Sequence, residues 1–134
     1  MCGFAGFVDF RKVVSQPERI LSEMADTLEH RGPDDSGVWW NQDAGVGLAH
    51  RRLSIVDLSK EGHQPMTSSS GRYVIAYNGE IYNFRELRTK LESEDHNLNW
   101  RGTSDTEVLL EAISVWGLEN TLKACNGMFD FGSW

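Results

Sequence analysis

Residues 3–9 (Gly-Phe-Ala-Gly-Phe-Val-Asp) put Phe4 and Val8 on one side of an extended chain and Phe7 on the other, which predicts a strand. Gly3 and Gly6 within it point to close approach of backbone or ligand. The period then changes. Ile20, Leu21, Met24 and Leu28 recur at helical spacing over 17–30, with Ser15 as the expected cap and Pro17 in the first turn. His30-Arg31-Gly32-Pro33-Asp34-Asp35 breaks that helix, and short strand-like runs follow at 37–41, 45–50, 53–57 and 72–77. Ser68-Ser69-Ser70-Gly71 reads as a flexible turn. Helices are predicted over 83–92 and 104–117. In the second, Ser104 and Glu107 have capping-box spacing, and Val108, Leu109, Ala112, Ile113 and Trp116 share a face. Residues 127–131 predict a last strand.

Strands grouped between long helices, without regular βαβ alternation, favour an α+β sandwich over a doubly wound fold. The 134 residues suit one domain with one core. At 40% hydrophobic and 25% charged, the composition is that of a soluble globular protein. The formal net charge of −7 argues against nucleic acid or an anionic membrane as the main partner. No apolar run reaches membrane-spanning length and the N-terminus lacks a signal-peptide pattern, so a cytoplasmic location is expected. Two cysteines, Cys2 and Cys125, are too few for a disulfide framework or a Cys-rich zinc site; Cys125 is expected in the core.

Cys2 changes the picture most. Removal of Met1 would put a thiol and the chain's α-amine on one residue. A neutral terminal amine, with an ordinary pKa of about 7.7–8.0, can take the thiol proton and later return it to a leaving amine. Position alone favours the plain reading, since any protein can carry Cys second, and three other segments bear on it. Tyr77-Asn78-Gly79-Glu80 is a strong turn signal, read either as a hairpin with polar tips or as an oxyanion hole made by the Asn78 amide and the Gly79 N–H. Arg51-Arg52 ends a strand, either as a solvated rim or with a guanidinium for a substrate carboxylate. Ser104-Asp105-Thr106-Glu107 suits a helix N-terminus, and Asp105 also suits a substrate ammonium. Together they suggest a free amino acid whose side-chain carbonyl meets a thiol.

Cys2, His30-Arg-Gly-Pro-Asp34, Arg52-Leu-Ser-Ile-Val-Asp57, Tyr77-Asn-Gly-Glu-Ile-Tyr-Asn83, Ser104-Asp-Thr-Glu107 and Gly127-Met-Phe129 occur in this order. In that order they resemble the glutaminase domain of a glutamine-hydrolysing asparagine synthetase, a class II glutamine amidotransferase, over essentially the whole chain. The resemblance implies an Ntn-hydrolase four-layer αββα sandwich, truncated at its C-terminal end because further strands and an ATP-using synthetase domain follow in the family. It implies one incomplete domain over 1–134. Cys2 would attack the glutamine amide, release ammonia for amidation of aspartate, and form a γ-glutamyl thioester that water hydrolyses. Asn78 and Gly79 would form the oxyanion hole, and Arg52 would bind the substrate carboxylate. Glu80 and Asp105 would be acidic contacts, Leu53 and Ile55 would act largely through backbone, and Arg31 and Asp34 would organise the pocket. Arg51 reads as surface, and Asp130 stands where the family usually has a small apolar residue, an unpaired carboxylate being costly in a buried strand. The implied partners are L-glutamine, a synthetase domain or full-length homologue, and a second copy in a homodimer. No cofactor or metal is expected in this chain, since ATP and magnesium belong to the synthetase domain. The other readings are a truncated or degenerate glutamine-binding module without turnover, and the amidotransferase half of a relative with another acceptor.

Overall fold

The computed structural model of the chain describes residues 2–55, 58–94 and 97–134. Among these residues six strands form two antiparallel three-stranded sheets. The first has the order β1 (Gly3–Val8), β3 (Val46–Arg52), β2 (Asp35–Asn41); the second has β4 (Met66–Thr67), β5 (Val74–Ile81), β6 (Gly127–Ser133). Four helices accompany them: α1 (Pro17–Asp26), α2 (Phe84–Glu94), α3 (Asp105–Trp116) and α4 (Leu118–Ala124).

Alternation along the strands builds the layers. Phe7 and Ala49 meet Leu21 and Ala25 of α1 on the outer face of the first sheet. Phe4 and Leu48 point the other way and pack on Val74 and Ala76 between the sheets. Ile75, Tyr77 and Ile81 face away from the first sheet onto Leu87 and Leu91 of α2 and Val108, Leu109 and Ala112 of α3. The result is helix, sheet, sheet, helices, the αββα sandwich and α+β class expected. The helix α3 is buried from Asp105 to Ile113, polar residues included.

Several local expectations fail for identifiable reasons. Gln16, in a left-handed conformation at φ 58°, occupies the α1 N-cap position in place of Ser15. The helix also stops earlier, and Glu29–Arg31 is a separate 3-10 turn. Arg52 ends β3, and Leu53–Ile55 are irregular where a strand was expected; Val56 and Asp57 lie outside the described residues. Asn78-Gly79 is no turn: β5 runs through it to Ile81, with Asn78 opposite Asp130 and Gly79 opposite Phe129. Asp130 is exposed, because Phe129 and Phe131 take the inward side of β6. Ser104 caps α3 through the Glu107 N–H, yet the Glu107 carboxylate turns to the N–H groups of Arg101 and Gly102, so the reciprocal half of the box is absent.

His50 makes a polar bond between the sheets. Its Nε2 donates to the Tyr77 carbonyl at 2.9 Å, which fixes the neutral Nε2–H tautomer. Burial pushes its pKa down to about 4, against the raising effect of that hydrogen bond. Below the ordinary pKa of 6.5 the unfolded chain gains a proton that the folded chain refuses. His50 therefore makes the fold lose stability as pH falls from about 6.5 towards 4, with no such loss above. Urea unfolding between pH 7 and 4.5 checks this. The parent should lose more stability than His50→Gln, which keeps a donor but no titration; parallel curves would contradict it.

Candidate active site

The β1–β3 register pairs Gly3 with Arg51, so one step outward Cys2 stands level with Arg52. The residue after Arg52 then meets the thiol. Leu53 N–H donates to Cys2 Sγ at 3.2 Å, and Sγ lies 3.6 Å from Leu53 O. The strand end that presents the guanidinium thus also fixes the sulfur. Arg52 is buried and donates from Nη1 to Ser59 O at 2.8 Å.

The opposite wall comes from β5 and α3. Asn78, Gly79 and Glu80 line the same pocket as Cys2, Arg52, Leu53 and Ile55, and Asp105 closes it at the α3 N-terminus. The cavity is about 180 Å³, below the roughly 300–1,000 Å³ of drug-sized sites and suited to a small molecule. Asn78 Oδ1 is buried without a hydrogen-bond partner, so this amide is not engaged in holding the fold through that atom. Gly79 has φ 155°, and a Cβ there would stand 2.4 Å from Phe129 Cα and 2.5 Å from Met128 O. Only glycine lets β6 pass this close to the pocket wall. Asp105 is held in place: Oδ2 accepts from Tyr77 Oη at 2.9 Å and Ile81 N–H at 3.0 Å, and Oδ1 accepts from Thr106 N–H. Burial first, then the Asp105 carboxylate, holds the Tyr77 phenol far above its ordinary pKa, so it remains a donor.

Cys2, Arg52, Leu53, Ile55, Asn78, Gly79, Glu80 and Asp105, chosen from four separate segments, therefore converge on one pocket. Ile55 is the outermost, 70% exposed. Arg31 and Asp34 do not line it. Arg31 is half-buried in the 3-10 turn. Asp34 sits in a neighbouring groove, where its N–H donates to Arg52 O at 3.0 Å and its Oδ2 accepts from Ser54 N–H at 2.8 Å. The loop thus braces the backbone on both sides of Leu53. Arg51 is not surface: its side chain is 13% exposed, pairs with Asp26 and donates to Ala25 O, tying β3 to the end of α1. Cys125 lies outside the pocket, and burial pushes its thiol pKa up. Sequence reading missed Gly62, Gln64, Tyr77 and Thr106 as pocket residues. Gln64 accepts from Tyr77 N–H at 2.7 Å and so completes β5 with a side chain, a role no local pattern announces. Among the described residues no cluster of three or more His, Cys, Asp or Glu is placed to hold a metal, and no helix is long and apolar enough to cross a membrane.

A small pocket with a thiol, one cation, two acids and an unengaged amide has the groups that acyl transfer from an amino acid needs. Residues 1–134 match the glutamine amidotransferase domain family. Asparagine synthetase [glutamine-hydrolyzing] 3 of Bacillus subtilis is 43% identical over 136 residues, covering 100% of this chain and 21% of the relative. Putative asparagine synthetase [glutamine-hydrolyzing] 2 of Methanocaldococcus jannaschii is 37% identical over 147 residues, covering 98% and 27%. Amidase chry2 of Gibberella zeae is 33% identical over 147 residues, covering 100% and 21%. The chain belongs to the glutamine amidotransferase domain family, an enzyme family, and is homologous to the amidotransferase part of glutamine-hydrolysing asparagine synthetases. It spans between about a fifth and a quarter of the length of these relatives.

Gly79→Ala combines a disfavoured φ with overlap against β6 backbone rather than a movable side chain. It should destabilise the fold by about 2 kcal/mol or more and lower the thermal midpoint by roughly 5–10 °C. A melt within a degree of the parent would contradict this.

Proposed function

We propose that the chain is a glutaminase: Cys2 attacks the side-chain amide of L-glutamine, ammonia leaves, and water hydrolyses the γ-glutamyl thioester to glutamate. The convergence of Cys2, Arg52, Asn78, Gly79, Glu80 and Asp105 on one cavity of amino-acid size carries the reading. In it, the Arg52 guanidinium takes the α-carboxylate through paired N–H donors. Glu80 and Asp105 take the α-ammonium. Asp105, with its oxygens already accepting from Tyr77, Ile81 and Thr106, contributes its charge from a fixed position.

The Asn78 amide and the Gly79 N–H receive the oxyanion. The buried Oδ1 of Asn78 carries no hydrogen bond, so the fold does not hold this amide through that atom. Cys2 acts with the α-amine it gains once Met1 is removed, which carries the thiol proton to the departing ammonia. Among the described residues no histidine lines the pocket to do so.

Ammonia from this site would serve an ATP- and magnesium-dependent synthetase domain or a full-length homologue, with aspartate as acceptor. The names of the relatives from Bacillus subtilis and Methanocaldococcus jannaschii support that acceptor. Similarity to a protein named amidase chry2 favours a second reading, in which the same half serves a different acceptor.

The chain incubated with glutamine should yield glutamate and ammonia in equal amounts. Cys2→Ala should abolish both. Asn78→Ala should lower kcat about 10²–10³-fold, as loss of one oxyanion donor does elsewhere. Undiminished turnover in Cys2→Ala, or intact mass showing Met1 retained on active chains, would overturn the assignment of the nucleophile.

A further inference from the structure

The 3-10 turn Lys60–Gly62 lies against Arg52, and its Gly62 lines the pocket. Ser59 caps that turn through the Glu61 N–H, and its carbonyl receives Arg52 Nη1 at 2.8 Å. The same turn brings the Cα of Gly62 onto the guanidinium. A Cβ at Gly62 would stand 2.5 Å from Arg52 Cζ, nearer still to Nη2, and 3.2 Å from Nε. The backbone of Gly62 needs no left-handed conformation, so glycine is required here for space alone. Two residues on, Gln64 is anchored to Tyr77 N–H through Oε1 and to Thr106 Oγ1 through Nε2, which holds the turn from its far side.

We infer that Gly62 is a positioning residue that sets the specificity of the site. Its missing side chain leaves the space in which the Arg52 guanidinium lies against the turn, with Nη1 on Ser59 O. The inference rests on the glutaminase reading and deepens it, since it names what fixes the carboxylate subsite. The overlap that a Cβ creates is with the far end of a flexible side chain rather than with backbone, unlike that at Gly79. Gly62→Ala therefore displaces the guanidinium while leaving the fold and the thiol in place.

Two thiol reagents separate these effects. 6-Diazo-5-oxo-L-norleucine carries the α-carboxylate and α-amine of glutamine, whereas iodoacetamide carries neither. Gly62→Ala should slow labelling of Cys2 by the diazoketone about tenfold or more, the scale of one misaligned charge-assisted pair. It should leave alkylation by iodoacetamide within about twofold. In an Arg52→Ala background, Gly62→Ala should slow diazoketone labelling no further, since both act through one guanidinium. Equal slowing with both reagents, no slowing with either, or additive losses in the double variant would overturn the inference while leaving the glutaminase reading intact. A parent chain in which Cys2 reacts with iodoacetamide but shows no glutamine-protectable labelling by the diazoketone would overturn both.

Discussion

The site exists because two sheets are held face to face at one end, and the His50–Tyr77 hydrogen bond is the polar link that does this. Apolar packing of Phe4 and Leu48 on Val74 and Ala76 brings the sheets together, but such contact is non-directional and tolerates sliding. A buried hydrogen bond does not, because a slip of one residue leaves a carbonyl and a ring nitrogen unpaired in a low-dielectric interior. His50 stands two residues before Arg52 and Tyr77 one residue before Asn78. The bond therefore sets the strand bearing the carboxylate-binding candidate against the strand bearing the oxyanion candidates.

Around that link the chain fixes its reactive groups largely through backbone. Leu53 holds the Cys2 sulfur, Asp34 bonds on both sides of Leu53, and Ser59 takes the Arg52 side chain. Asp105 is fixed by a phenol and two backbone N–H groups. Cys2, Arg52 and Asp105 are thus oriented before any ligand arrives, which is the condition for electrostatic stabilisation without reorganisation. The charges follow the layers. The cation comes from the first sheet and the acids from the second sheet and its helix, so an amino acid bound between them has its carboxylate and ammonium drawn to opposite walls.

Much of this was legible in the sequence because the chemistry-bearing residues are few and sit in distinctive local contexts. Cys2 before a strand, Arg52 at a strand end and Asp105 beside a helix cap each have a local signature. The α+β class followed from grouped strands between helical stripes. The failures are equally physical. Asn78-Gly79 has the composition of a turn, yet pairing with β6 keeps it extended, and the glycine serves close approach of a neighbouring strand. Arg51 and Arg52 are indistinguishable as a pair, but alternation sends one to α1 and the other to the pocket. Gly62 and Gln64 act on residues far along the chain, so no window of sequence contains both the residue and its reason.

The central claim is that Cys2 forms the covalent intermediate inside a pocket shaped for glutamine. Acid quenching during turnover, followed by peptide mapping, tests it most directly. The account predicts one glutamyl group on the Cys2 peptide, released by hydroxylamine and absent when glutamine is omitted. A glutamyl group on Cys125, or steady glutamate formation after Cys2 has been fully alkylated, would contradict it.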